Sequence, residues 1–156
     1  MVDYFEDCVE EVGLDLDSMN IRLNYSYMID PDVVVIADPE QMKKVINNII
    51  SNSVKYMDKA QGEIDIRVLD AVDSIRVEIE DNGKGIAQKD LPNIFDRFYR
   101  TDASRNSAQG GSGIGLSIVK KIIEDHGGYI WATSHEGEGT CMHFVLRKYI
   151  ELQQES

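Results

Sequence analysis

Asp81 stands where an alternating run of residues ends. Ile75, Val77 and Ile79 alternate with Arg76, Glu78 and Glu80, the period-two signature of a half-buried strand. Asp81 continues the odd register, so its carboxylate points with the isoleucines into the core. Asn82-Gly83-Lys84-Gly85 then breaks the strand. An inward carboxylate is costly unless a donor meets it. Two readings satisfy that requirement. Asp81 is either a turn-capping aspartate or an acceptor for a buried ligand donor, such as the exocyclic amine of adenine.

Three further stretches carry chemistry of a compatible kind. Asn48 and Asn52 lie one helical turn apart and offer neutral oxygens to a hard cation such as Mg²⁺, provided phosphates and water complete the shell. Lys55 falls on the same stripe and can reach a phosphate. The plain alternative is a polar helix face with a solvated lysine. Gly110-Gly111-Ser112-Gly113-Ile114-Gly115 leads into a helix, where free N–H groups and the positive dipole end make a generic anion site. Its glycine spacing matches neither the dinucleotide fingerprint nor the P-loop, and a flexible helix entrance serves equally. In Ile94-Phe95-Asp96-Arg97-Phe98-Tyr99-Arg100 two arginines sit among three aromatics. Such arginines suit bidentate phosphate contact; the aromatics could instead seal the core edge.

The elements that must position these groups follow from periodicity and punctuation. Phe5, Val9 and Val12 recur at helical spacing through residues 3 to 19. Ile21, Leu23, Tyr25 and Tyr27 alternate as a strand, and Val33 to Ile36 is a short apolar run that reads as another. Asp38-Pro39-Glu40-Gln41 is a helix start, with Asp38 as N-cap, Pro39 first in the helix and Gln41 completing a capping box. That helix runs to about Met57 with Met42, Val45, Ile46, Ile49, Ile50, Ser53 and Met57 inward. Ile64, Ile66 and Val68 form a strand that pairs as an antiparallel hairpin with the strand ending at Asp81. Each of the two has one charged face, so helices cover one side of the sheet only. Asp90 to Phe95 reads as a short helical piece, and Thr101 to Ser112, without a large apolar residue, as a mobile loop. Gly113 to His126 is a helix stopped by Gly127-Gly128. Tyr129 to Thr133 and Thr140 to Arg147 close a last hairpin around Glu136-Gly137-Glu138-Gly139. Strands in adjacent pairs predict an α+β two-layer sandwich with a mixed, mostly antiparallel sheet, not a doubly wound parallel one.

Size and charge narrow the partners. A chain of 156 residues, 42% hydrophobic and 28% charged, suits one domain with a real core. A net charge of −12 repels nucleic acid and anionic membrane, so a phosphate ligand needs a local basic cluster or a bridging cation. Cys8 and Cys141 are far apart and suggest no disulfide framework or metal quartet, which favours a reducing compartment. No apolar run approaches the roughly 20 residues of a membrane span.

Taken together, the stretches resemble the catalytic, ATP-binding domain of sensor histidine kinases, in the superfamily shared with gyrase, the Hsp90 chaperones and MutL. Asn48-Ile-Ile-Ser-Asn52-Ser-Val-Lys55-Tyr56 resembles the asparagine box and Asp81-Asn-Gly83-Lys-Gly85-Ile86 the first glycine box. Phe95-Asp-Arg97-Phe98-Tyr99-Arg100 resembles the phenylalanine box, and Gly111-Ser-Gly113-Ile114-Gly115-Leu116 the second glycine box. Gly137-Glu-Gly139-Thr140 resembles the short glycine turn near the end. The match runs in order from about Ile21 to Leu146. It implies a Bergerat-type fold with ATP and Mg²⁺ as cofactors. Asp81 would then accept from the adenine amine, with Gly83 and Gly85 letting the base approach, and Ile86 and Thr140 would belong to the ATP site. Asn52, helped by Asn48, would hold Mg²⁺. Lys55, Arg100 and Arg97 would contact the phosphates, and Tyr56 would stack near base or ribose. Residues 99 to 112 would form the ATP lid, and Gly113 and Gly115 would meet the phosphates as it closes; Phe98, Tyr99, Gly111, Ile114 and Leu116 would belong to the ATP site.

One position separates branches of that superfamily. The hydrolysing members and the anti-sigma-factor serine kinases resemble one another in carrying a glutamate base where this chain has Asn48. An amide cannot take a proton from water or serine, whereas a neutral imidazole already offers a lone pair. The resemblance therefore implies transfer to a histidine, with catalytic roles for Asn48, Arg97 and Arg100. The rivals are an anti-sigma-type serine kinase and a nucleotide-sensing module without transfer.

The family's acceptor is His-Glu or His-Asp followed by Thr-Pro on a dimerisation helix. His126 reads as a helix-end cap, His143 alternates within a strand, and His135-Glu136 lies in a hairpin turn without a following proline. The expected partners are thus a histidine-bearing dimerisation domain of the same kinase and, indirectly, a response-regulator receiver domain. Residues 1–20 are expected to end a linker helix from that dimerisation domain, 21–149 to form the catalytic domain, and 150–156 a tail. The resemblance implies a cytoplasmic domain of a membrane-anchored bacterial sensor kinase.

Overall fold

A computed structural model describes residues 2–96 and 115–149. In chain order these hold α1 (Val2–Ser18), β1 (Ile21–Met28), α2 (Pro39–Lys55), β2 (Gly62–Ala71), β3 (Ser74–Asp81), a 3₁₀ turn (Leu91–Asn93), α3 (Gly115–Asp125), β4 (Ile130–His135) and β5 (Gly139–Arg147). The strands form one five-stranded sheet in the order β1-β2-β3-β5-β4. β1 lies parallel to β2, across the α2 crossover, and the other three pairings are antiparallel. The sheet is therefore mixed and mostly antiparallel, as its sequence predicts.

One face of the sheet meets the helices. Ile64, Ile66 and Val68 of β2, Ile75, Val77 and Ile79 of β3, and Met142, Phe144 and Leu146 of β5 share a buried cluster with Val45, Ile46 and Ile49 of α2 and Val119 and Ile123 of α3. Phe5, Cys8 and Leu16 of α1 belong to the same cluster. Packing thus ties α1 into one body with the sheet, and no break in the core falls at residue 20.

Two local expectations change. Val33 to Ile36 is not a strand: it makes a single bridge, Val35 to Lys148. The segment is pinched between the turn at Asp30–Val33 and the α2 cap, and Val34 and Ile36 face solvent. The reciprocal arm of the capping box also comes from elsewhere. Asp38 accepts from Glu40 N at 2.9 Å and Gln41 N at 3.4 Å as expected. Its own N–H, however, donates to His126 Nε2 at 3.1 Å. His126 Nδ1 lies 2.7 Å from the Ile122 carbonyl. A carbonyl can only accept, so Nδ1 carries the proton and Nε2 the lone pair. One neutral imidazole thereby caps the end of α3 and the start of α2, fixing the two helices side by side.

Candidate functional site

The site is built where the end of α2, the end of β3 and the start of α3 meet. The alternation of β3 puts Asp81 on the core side as predicted, and it is 7% exposed. Its Oδ1 accepts from Gly83 N at 2.9 Å and Thr140 N at 3.3 Å, and Ser53 of α2 adds a side-chain hydrogen bond. Burial pushes the Asp81 carboxyl up, while the Gly83, Ser53 and Thr140 donors pull the other way and the nearby Glu80 charge adds to the rise. The result is an anion held in the interior by neutral donors, close to a helix and a glycine turn.

The turn after Asp81 is clamped on two sides. Lys84 N donates to the Tyr56 carbonyl at 3.0 Å, joining it to the end of α2. A Cβ on Gly83 would sit 2.6 Å from that carbonyl oxygen, so only glycine permits the approach. On the other side lies the β4–β5 hairpin. Gly137 N donates to the Lys84 carbonyl at 2.7 Å and Ile86 N to Ser134 Oγ at 2.7 Å. Gly85 adopts φ +75° with its Cβ direction blocked by the His135 carbonyl at 2.3 Å. Ile86 itself is buried.

Asn48 and Asn52 are both half-buried on α2. The Asn48 Oδ1 lies 3.8 Å from where a Cβ of Gly115 would be. The asparagine stripe therefore fronts the first residue of α3, and Leu116 packs on the core just behind it. Lys55 Nζ and Lys84 Nζ lie 5.6 and 5.3 Å from the Tyr56 ring centroid, a cation–π pair of contacts that gathers positive charge beside the glycine turn. Two neutral amide oxygens fit a hard cation whose other ligands are phosphate and water.

The structure thus brings Asn48, Tyr56, Asp81, Gly83, Gly85, Ile86, Gly115 and Thr140 into one neighbourhood, with Asn52 and Lys55 on the same helix end. Arg97, Phe98, Tyr99, Arg100, Gly111, Gly113 and Ile114 lie outside the described residues, as does the expected lid of residues 99 to 112. Two residues of the site escape sequence reasoning. Ser53 reads as one more member of the apolar stripe of α2, and Ser134 falls between the strand expected to end at Thr133 and the turn at Glu136. The signal was available: each is a small polar side chain at a position whose periodicity calls for an apolar one.

The opposite face of the sheet offers different chemistry. A hollow of about 310 Å³ reaches from Glu63, Asp65, Glu80 and Glu138 to the strand ends at Asp81, Asn82, Ser134 and Gly139, and its many carboxylates repel phosphate. Beside it Glu78, Cys141 and His143 bring their ligand-capable atoms within 4.8 Å of one another. Arg67 and Arg76 already hold Glu78 at 3.2 and 2.7 Å. Burial, with Glu78 and Glu80 nearby, pushes the Cys141 thiol up to about 12. This cluster is an ion-pair network with a protonated thiol.

Comparison with known proteins accounts for the arrangement. A family model described as histidine kinase-, DNA gyrase B-, and HSP90-like ATPase matches residues 37–150. The sensor histidine kinase WalK of Bacillus subtilis (strain 168) is 41% identical over 128 residues, covering 81% of this chain and 21% of that protein. A WalK sensor kinase of Staphylococcus aureus is 42% identical over 111 residues, covering 70% of this chain and 26% of that protein. The chain therefore spans about a fifth to a quarter of the length of these relatives. Among solved structures, the nucleotide-free catalytic domain of histidine kinase ThkA superposes with a TM-score of 0.78 at 29% identity, covering 93% of this chain and 90% of that one. ThkA in complex with the response regulator TrrA gives 0.75 at 27% identity, covering 97% of this chain and 41% of that one. No described helix is long and apolar enough to cross a membrane. Family model, sequence relatives and fold agree on one ATP-using lineage: this chain belongs to the histidine kinase-, DNA gyrase B- and HSP90-like ATPase family.

Proposed function

We propose that this domain binds Mg²⁺-ATP and donates the γ-phosphoryl group to a histidine on a separate dimerisation domain, for relay to a response regulator. The observation that carries the reading is Asn48, an amide facing the first residue of α3 at the position where hydrolysing relatives would need a carboxylate base. With no proton acceptor there, water and serine hydroxyls are poor nucleophiles, whereas a neutral imidazole needs no base. The similarity to WalK, and to a kinase solved together with its response regulator, supports the same reading.

In this reading Asp81 accepts from the adenine amine, with Gly83, Gly85, Ile86 and Thr140 shaping the base pocket and Tyr56 beside the ribose. Asn52, with Asn48, holds Mg²⁺, which when bound neutralises charge on the phosphates. Lys55, Arg97 and Arg100 hold the phosphate oxygens, and residues 99 to 112 close over them with Phe98, Tyr99, Gly111, Gly113, Ile114, Gly115 and Leu116. Catalysis is then positioning and charge neutralisation. α1 leads from the dimerisation helix, residues 150–156 are a tail, and the domain faces the cytoplasm of a membrane-anchored sensor. The test is incubation with labelled Mg²⁺-ATP and the cognate dimerisation domain. Acid-labile, base-stable phosphohistidine on that domain is the expected product. Bound nucleotide with no label there, or acid-stable phosphoserine on a small partner, would overturn the proposal.

A further inference from the structure

Ser134 sits on the core side of β4, opposite Thr140 of β5, and is 4% exposed. Its Oγ touches three partners: Ile86 N at 2.7 Å, the Gly139 carbonyl at 2.9 Å and Thr140 Oγ1 at 2.8 Å. A serine hydroxyl has one proton and two lone pairs. The Ile86 N–H takes one lone pair. The Gly139 carbonyl can only accept, so it receives the Ser134 proton. The contact with Thr140 must then be Thr140 O–H donating to the remaining lone pair. Every valence of Ser134 is used, and Thr140 Oγ1 is left with lone pairs only.

Thr140 is also the neighbour of Asp81, whose Oδ1 receives the Thr140 N–H at 3.3 Å. Side by side, then, stand a carboxylate and a hydroxyl oxygen that can only accept. We propose that Ser134 is a positioning residue for the purine: by taking the Thr140 proton and pinning Ile86, it sets an all-acceptor wall that selects a base bearing an amino group over one bearing a carbonyl. This rests on the reading of Asp81 as the base acceptor. A keto base would set oxygen lone pairs against oxygen lone pairs, the kind of mismatch that polar sites reject strongly. Without Ser134, Thr140 regains a proton it can offer to a keto base, and Ile86 loses its tether.

The test compares Mg²⁺-ATP with Mg²⁺-ITP, which carries a carbonyl where adenine has its amine, by calorimetry. The wild-type chain is expected to prefer ATP. Ser134→Ala is expected to shrink that preference about fivefold, the worth of roughly one hydrogen bond. Thr140→Val, which keeps the Ser134 bonds to Ile86 and Gly139, is expected to shrink it similarly. The double variant should lose no more than either single one, because both act through the same proton. A purely structural role for Ser134 would weaken both nucleotides equally and leave their ratio intact; that result overturns the proposal. Should Ser134→Ala not fold, the ratio for Thr140→Val decides alone, and an unchanged value is fatal. Asp81→Asn separates the two levels. Unchanged ATP affinity there would bring down the base site and this inference with it, whereas lost affinity beside an intact Ser134→Ala ratio would bring down only the role of Ser134.

Discussion

Replacing Asp81 with asparagine separates binding from folding. The variant keeps a carbonyl oxygen, which can go on accepting from Gly83 N and Thr140 N, now at 2.9 and 3.3 Å. The Ser53 hydroxyl can rotate to accept from the new amide, so no buried polar atom is orphaned. What disappears is the charge and the second acceptor oxygen. A hydrogen bond to a charged group contributes about 1.5–3 kcal/mol, or roughly 10- to 150-fold in Kd. The amide also presents its own N–H groups to the adenine amine, so the loss should reach the upper end and ATP binding should fall below ready detection. Stability should move the other way. Burial raises the Asp81 carboxyl above its unfolded value. Such an acid favours the folded state when protonated, and that contribution fades as pH rises through the folded pKa. At neutral pH the wild type therefore carries an uncompensated cost that asparagine lacks. The assay is calorimetric titration with Mg²⁺-ATP alongside denaturant melts. The expected pair of results is lost binding with equal or higher stability. Unchanged ATP affinity, or a variant that both binds and folds poorly, would refute the reasoning. Lowering the pH on the wild type should imitate the variant, with affinity dropping above the range of an ordinary aspartate.

Four further outcomes follow from the packing. Val72 holds φ +67° in the two-residue β2–β3 turn and is 82% exposed; Val72→Gly should stabilise by about 1 kcal/mol, read as a Tm rise of roughly 2–4 °C. Gly139 has φ +135° and its Cβ direction meets the Asp81 carbonyl at 1.9 Å; Gly139→Ala should cost about 2–4 kcal/mol by urea denaturation and weaken ATP in parallel. His126→Ala should remove the bonds to Asp38 and Ile122 and cost about 1–2 kcal/mol, with ATP affinity by calorimetry unchanged. Burial alone would raise the Glu78 carboxyl, but the Arg67 hydrogen bond and the Arg76, His143 and Arg67 charges hold it low. Its contribution is therefore present above the unfolded value of 4.5 and lost as pH falls through the folded pKa, so the stability gap between wild type and Glu78→Gln should narrow in acid melts.

The strands were legible because half-burial writes a period of two: Ile64 to Val68, Ile75 to Asp81 and Met142 to Leu146 all face as their alternation requires. The α2 start was legible because Asp-Pro is a local code. What failed was not local. Val33 to Ile36 has strand composition but only one bridge available, at the far end of β5. Gln41 had the right spacing for a capping box, yet His126 reached Asp38 from 88 residues away. Ser53 and Ser134 show in the sequence only as polar side chains at inward positions; what they meet, Asp81 for the one and Ile86 and Thr140 for the other, lies far along the chain, and a single sequence records its own neighbours only.

Two buried carboxylates on β3 show how the fold tells support from recognition. Glu78 and Asp81 lie three residues apart and on opposite faces of one strand. Glu78 meets two guanidinium groups at 3.2 and 2.7 Å and titrates low. Among the described residues Asp81 meets only N–H and O–H donors, and it titrates high. An arginine beside Asp81 would satisfy the carboxylate completely, and nothing would be gained when a ligand amine arrived. Neutral donors hold the group in place yet leave its charge underpaid, so the interior keeps an unmet demand for one more donor. In the proposed reading, burial of that demand between α2 and the β4–β5 hairpin is what suits an aspartate at a strand end to a ligand base. On the same strand's outer face Arg67 and Arg76 neutralise Glu78, so that carboxylate is satisfied within the fold and has no such demand.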